Sequence, residues 1–503
     1  MKMMMGAALI LAAESSRASS LADLLGHGED AGQAEFCKDA ATPPTPKCAK
    51  TPSVDFDAKG RSWFAWVFQG RIYAQSSADG GKTMSKPVAV NREPENILSN
   101  GENRPKIRIG GKGQIYVTWS RGLEKAFSAD VRFSRSVDDG KTFSEALTIN
   151  DNRQIIGHSF DSLAVGRDGR VFIAWLDERD AEAAKNKPGG YAGSALYYTW
   201  SADEGLHFAP NSKAADHACE CCRVQTALDI DGMPVLAWRN IYPENVRDHA
   251  LLKLDDWNQP GPVRRASHEN WHIEGCPHHG PGLAVAEGGR YHLAWYSQSP
   301  DATGLFYAYS DDGGAGFSPA LAFGNPKANP RHPHVLSHAK EVYLVWLEFD
   351  GQQNWLAAMR SADAGLTWSA PARLAESASD MDSPFLHRHG DKIYVSFTTK
   401  ADGLRLIPLS RAGFAASAVK ASAGRSSLKP VPTGFSSRQG TTIALRAARA
   451  VLRPPRNDTS LRSHRPMATT MTLRRSLHLA GSLREPARCL GYAGAWKTSR
   501  HRQ

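Results

Sequence analysis

The sequence predicts an all-β fold, a β-propeller of six or seven four-stranded blades, and three observations point to it. An apolar strand ending in an aromatic residue recurs along the chain, a Ser/Asp/Gly turn follows most copies, and the composition is that of a turn-rich, aromatic-cored protein. Among 503 residues there are 44 Gly, 29 Pro and 13 Trp, with 41% hydrophobic residues. That balance favours many short strands joined by turns over helices.

The recurring strand reads Phe64-Ala65-Trp66, Val117-Thr118-Trp119, Ile173-Ala174-Trp175, Leu236-Ala237-Trp238, Leu293-Ala294-Trp295, Leu344-Val345-Trp346 and Val395-Ser396-Phe397. Its final residues are separated by 53, 56, 63, 57, 51 and 51 positions. A period near 50 residues with several strands per unit is that of a radial propeller rather than a helical solenoid. Turns such as Asp168-Gly169-Arg170, Asp231-Gly232 and Gly288-Gly289-Arg290 precede these strands, so each repeat contains a hairpin.

The second landmark has the form Ser-x-Asp-x-Gly-x-x-aromatic. It appears at Ser136 to Phe143, Ser201 to Phe208 and Ser361 to Trp368, with looser copies at Ser77 to Met84 and Ser310 to Phe317. In such a turn the Asp carboxylate accepts backbone N–H groups, Gly supplies the left-handed backbone, and the aromatic packs between sheets. The repeat ending at Trp238 carries only Leu254-Asp255-Asp256-Trp257 in that place.

Through these boxes residues 52–409 resemble the BNR or Asp-box repeat proteins of the sialidase superfamily. The resemblance implies a propeller with its ligand site at the mouth of the central channel. Sialidases have six blades, whereas seven hairpins are counted here. The last repeat, residues 383–409, is short: either an N-terminal strand completes it, or six blades carry an accessory hairpin. The resemblance also implies an exo-α-sialidase type of glycoside hydrolase, with three Arg clamping a substrate carboxylate. Arg104, Arg223 and Arg331 are the candidates for that anion site, and Asp177 for the general acid. The chain departs from the family in two respects. Asn103-Arg104-Pro105 is only an echo of the family's early Arg-Ile-Pro motif, and Met381-Asp382-Ser383 stands where a Tyr nucleophile belongs.

Charge divides the chain. Residues 411–503 hold 15 Arg and 3 Lys against Asp458 and Glu485, a charge of +16; subtracting it from the formal +10 leaves −6 for the first 410 residues. An acidic folded part gives no expectation of nucleic-acid binding, and the Arg-rich, Ser-rich stretch reads as a disordered tail or an out-of-frame translation. Residues 1–18, with Lys2, an apolar run from Met3 to Ala13 and Ser16-Arg17-Ala18, read as a signal peptide. The expected product is secreted or periplasmic and has no membrane span. The expected order is residues 1–18 signal, 19–51 an N-terminal segment holding Cys37 and Cys48 in a local disulfide, 52–410 the propeller and 411–503 the tail.

Propeller ligands meet the chain where innermost strands begin. There the sequence places His217-Ala218-Cys219-Glu220-Cys221-Cys222-Arg223 and, one repeat later, His268, His272, Cys276, His278 and His279. Thiolates with imidazoles suit a transition metal such as Cu(I) or Zn(II), and the expected ligand set is His217, Cys219, Cys221, Cys222, His272, Cys276, His278 and His279. Arg223 is placed to stabilise thiolates, and Arg331-His332-Pro333-His334 lies nearby. The spacing matches neither a zinc finger nor the Cys-x-x-Cys-His haem motif. The same cysteines are also consistent with disulfide staples in a protein-interaction propeller. Three classes of function therefore stand at this point: a metal-binding or redox scaffold, a sialidase-like hydrolase and a stapled interaction module. The expected partner is a metal, glycan or other small ligand at the mouth.

Overall fold

The computed structural model describes residues 34–414 except Cys276, and residues 419–420. The expected signal peptide, Cys489 and nearly all of the basic tail lie outside the described residues. Seven antiparallel blade sheets follow one another in chain order, and a small eighth sheet pairs Thr367–Trp368 with Val419–Lys420. The first blade comprises Lys50–Phe56, Ser62–Phe68, Arg71–Ser77 and Val88–Ala89. The innermost strands of the next six are Lys106–Ile109, His158–Val165, Gln225–Leu228, Gly282–Val285, Arg331–His338 and Phe385–His389. Each innermost strand touches the next, and the seventh touches the first, so the ring is closed.

The count is therefore seven, and the short last repeat is a genuine blade of three strands, Phe385–His389, Lys392–Thr399 and Gly403–Leu409. No N-terminal strand pairs with its outer edge among the described residues. Instead the turn Pro46–Cys48 packs on that edge, and a Cβ at Gly403 would collide with the backbone of Pro46 and Lys47. Cys37 and Cys48 form the expected disulfide. Both are fully buried with Trp66, Phe68 and the blade-seven residues Leu404 and Leu406. The staple thus seals the junction between first and last blades. At the other end the folded unit runs slightly past residue 410: Arg411 pairs with Glu341 at 2.9 Å, and Phe414 is buried against Tyr343.

The repeated aromatics are the core. Trp66, Trp119, Trp175, Trp238, Trp295, Trp346 and Phe397 are all at most 1% exposed. A buried indole needs an acceptor for its N–H, and each Trp finds a side-chain oxygen: Gln75, Glu95, Asp177, Asn240, Glu269 and Glu348, at 2.7–3.1 Å. In three repeats the acceptor stands two residues after the Trp.

Five Asp boxes form as predicted, on the face opposite the mouth. In every one the Ser Oγ accepts the Gly N–H, at 2.7–3.0 Å. The Asp carboxylate accepts the N–H four residues later, at 2.8–3.0 Å. The Thr142 hydroxyl and N–H hold Asp138, and the Thr83 N–H and hydroxyl hold Asp79, down to about 2. Box glycines Gly140, Gly205 and Gly365 have φ of 75°, 78° and 89°, and a Cβ there would strike Trp63, Phe133 and Tyr307 of the preceding blade. These three boxes are thus blade-to-blade contacts. Where the fourth blade lacks one, Trp257 fills the gap, packing with Phe172 and Trp200 of blade three under Arg170. No helix among the described residues is long and apolar enough to cross a membrane.

Candidate functional site

Crossovers from the outer strand of one blade to the inner strand of the next make the mouth, and their backbone is irregular. Thr51, Phe160, His217, His278 and His332 adopt φ between 45° and 62° without being Gly. Strand pairing slips beside four of them, between Lys50 and Ser53, Ala174 and Leu176, Ser194 and Leu196, and Arg331 and His334. Bulges and left-handed residues each carry local strain and re-aim side chains.

Cys219, Cys221 and Cys222 sit on the crossover between blades three and four, at most 4% exposed. Their Sγ atoms lie within 4.8 Å of one another, and Cys219 and Cys222 are 3.6 Å apart as free thiols. The Cys219 N–H donates to the Arg239 carbonyl at 2.8 Å, which pins the loop. Ile241 and Phe160 pack over the sulfurs. Arg247 Nη1 donates to Cys219 Sγ at 3.2 Å and to Glu220 Oε2 at 3.0 Å. The Cys219 thiol is driven well below its ordinary range by hydrogen bonds from Cys221 and Cys222, with the positive charge of Arg247 adding to them. Burial pushes Cys221 and Cys222 up, and raises Glu220.

The expected mixed Cys/His set separates. Among the described residues the metal-capable group is the three thiols alone. His217 is turned outward by its left-handed backbone, its ring on Tyr191 and its Nδ1 donating to the Ala192 carbonyl at 3.0 Å. His272 donates to the Glu244 carbonyl from an exposed position, and His268 and His278 are exposed. Cys276 lies outside the described residues. Arg223 does not serve the thiols either; Arg247 does.

His279 belongs to a second cluster centred on Glu102. That carboxylate, 4% exposed, reaches from the second blade to the fourth, fifth and sixth. Oε1 accepts from Arg223 Nη1 at 2.7 Å and from His332 Nδ1 at 3.3 Å; Oε2 accepts the Arg223 and Gly280 N–H groups at 3.1 and 2.7 Å. Burial is the largest single influence and opposes its charge, but Arg223, His332 and the backbone N–H of Arg223 together exceed it and hold Glu102 far below the carboxylate range. The His279 ring lies 4.2 Å from Tyr296 and 4.9 Å from His332, and burial lowers both imidazoles. His334 is buried and accepts the Leu386 N–H at 3.2 Å.

The three candidate arginines do not form a carboxylate clamp. Arg104 is bound to Asp382 at 2.7 Å and to the Pro52 carbonyl, and its guanidinium lies 4.4 Å from the Phe385 ring centre. Arg223 is bound to Glu102 and the Pro333 carbonyl. Arg331, ahead of the His332 bulge, is held instead by Asn354. Asp177 is fully buried, receiving the Trp175 N–H and paired with Arg179 at 2.9 Å, so it is a structural acceptor rather than an accessible acid. Glu102, Arg247 and Tyr296 were missed in the sequence. Only Glu102 carried a hint, being two residues before Arg104.

No family model and no curated protein matches the chain. Among solved structures it is similar to a polysaccharide lyase of family PL25, an ulvan lyase, at 9% identity over 73% of this chain and 98% of that one, TM-score 0.50. It is also similar to the Hadza microbial sialidase Hz136, at 14% identity over 69% and 74%, TM-score 0.42. A third is an α-L-arabinanase of Penicillium chrysogenum, at 14% identity over 62% and 94%, TM-score 0.43. The likeness is one of fold, the β-propeller.

Proposed function

We propose that this protein is an exported β-propeller that binds a thiophilic transition metal, copper or zinc, at its mouth through Cys219, Cys221 and Cys222. The observation that carries this reading is the convergence of three buried sulfurs within 4.8 Å. Sulfurs on one ion at about 2.3 Å stand roughly 3.8 Å apart in a tetrahedron and about 4.0 Å in a plane. The 3.6 Å between Cys219 and Cys222 is close to that spacing. Blade packing does not call for three adjacent buried thiols, and the neighbouring guanidinium favours the thiolate form that a metal needs. The same feature supports a redox role, since two of the sulfurs are in van der Waals contact and need only a small approach to join.

Export is supported by the Cys37–Cys48 disulfide, which persists in oxidising compartments. Glycoside hydrolysis is disfavoured by the engagement of Asp177 with Trp175 and Arg179 and of Arg104 and Arg223 with acidic partners. Metal analysis of protein purified anaerobically under reductant tests the proposal. About one equivalent of copper or zinc is expected, lost in Cys219→Ser and Cys222→Ser. Metal-free protein whose cysteines are all oxidised would favour the stapled interaction module instead.

A further inference from the structure

We infer that Arg247 makes the thiol site selective for a monovalent soft cation, Cu(I), over a divalent one, by excluding a second positive charge and by withholding the adjacent carboxylate. The inference rests on the metal reading above and deepens it. Three observations carry it.

The first is ligand number. Among the described residues the site offers three sulfurs and no imidazole. Zinc in structural sites is almost always four-coordinate, whereas Cu(I) is satisfied by soft thiolates in a trigonal set. The second is charge. Arg247 Nη1 is 3.2 Å from Cys219 Sγ, and its side chain is 9% exposed, so water screens it little. A fixed cation at that range repels a divalent ion twice as strongly as a monovalent one. The third is the fate of Glu220, which stands between two of the cysteines. Its carboxylate is the hard oxygen donor that a zinc ion would recruit, and Arg247 Nη1 holds its Oε2 at 3.0 Å.

Arg247 is itself fixed. Its Nε donates to Asn245 Oδ1 at 3.1 Å, and its N–H donates to the Trp271 carbonyl at 2.8 Å. The guanidinium is therefore placed before any metal arrives, as a positioning residue and not a ligand.

The test compares Cu(I) and Zn(II) affinities of reduced full-length protein, each measured anaerobically against a chromophoric chelator. Replacing Arg247 by Met is expected to lower the Cu(I):Zn(II) affinity ratio about tenfold or more, chiefly by tightening Zn(II). Arg247→Lys, which keeps the charge, is expected to retain most of the ratio. Adding Glu220→Gln to Arg247→Met is expected to reverse part of the gain in Zn(II) affinity, and Glu220→Gln alone, which leaves the Arg247 charge unpaired, is expected to weaken Zn(II) more than Cu(I). If Arg247→Met does not fold, as judged by thermal unfolding, Arg247→Gln takes its place. A ratio unchanged in Arg247→Met or Arg247→Gln overturns this inference alone and leaves the metal site standing. Native protein that binds neither ion overturns the site reading and this inference with it.

Discussion

The two faces of the ring are built on opposite plans. On the box face one motif is used five times, and every copy makes the same pair of bonds from Ser Oγ and Asp carboxylate. On the mouth face no crossover repeats another, and left-handed residues with slipped pairing are the rule. Repetition on one face carries the packing of blades. Irregularity on the other gathers chemistry, three thiols in one place and the Glu102 cluster in another. The comparison teaches that stability and function can be perturbed almost independently, provided substitutions respect the face to which a residue belongs.

The largest effect is expected in the shared core. Trp238→Ala removes a fully buried indole and orphans Asn240, and should cost about 3–5 kcal/mol in denaturant unfolding, as for other Trp-to-Ala core changes. Asp177→Ala strips the buried partner of Arg179 and Trp175; a loss of about 3 kcal/mol is expected in the same experiment, and a fully stable variant would return Asp177 to the list of candidate acids. On the box face Gly205→Ala places a Cβ against Phe133 at φ 78°. A loss of about 2 kcal/mol is expected, with metal content unchanged. On the mouth face the expectation reverses: Cys222→Ser should abolish metal binding while shifting the midpoint of unfolding of the metal-free protein by less than about 1 kcal/mol.

Acid separates the clusters further. Glu102 is ionised in the fold well below its ordinary range, so it binds a proton more readily unfolded than folded. Its contribution is present above the unfolded carboxylate pKa of about 4.3 and is lost as pH falls through the lower folded value. The half-buried His279 and His332 and the buried His334, also lowered, act earlier. Each takes up a proton less readily in the fold than in the unfolded chain, so stability falls as pH drops below about 6.5, where the unfolded imidazoles take up protons. His292, lowered to about 4 on the core side, adds to that decline between about 6.5 and 4. Unfolding midpoints measured from pH 8 to 3 should show both limbs, and Glu102→Gln should make the lower one shallower, the remaining slope coming from other lowered carboxylates such as Asp79 and Asp138. A profile identical in Glu102→Gln would mean that Arg223 does not hold the carboxylate ionised.

Much of the fold was legible because its determinants are local. A box is eight consecutive residues that bond among themselves, and the core Trp sits at one register position in each strand, so both survive as sequence patterns. The blade count was open between six and seven because closure depends on contacts between residues 46–48 and 403, far apart in the chain. At the mouth, the Cys219–Cys222 run was visible as an unusual cluster, but the direction of each side chain was not. Left-handed backbone at His217 and a bulge at His332 turn their rings away from the thiols, and no short-range pattern announces either. Arg247 reaches the thiols across a hairpin, 28 residues after Cys219. The acceptor role of Asp177 was hidden because at its position, two residues after the Trp, the other repeats that place an acceptor there use Asn240 and Glu348, residues of different type.

The most direct test of the central claim is X-ray absorption at the metal edge of anaerobically purified, reduced protein. The account predicts about one bound ion with a shell of three sulfurs at about 2.3 Å, lost in Cys219→Ser. An ion surrounded by nitrogen and oxygen alone, or one retained undiminished in Cys219→Ser, would contradict it.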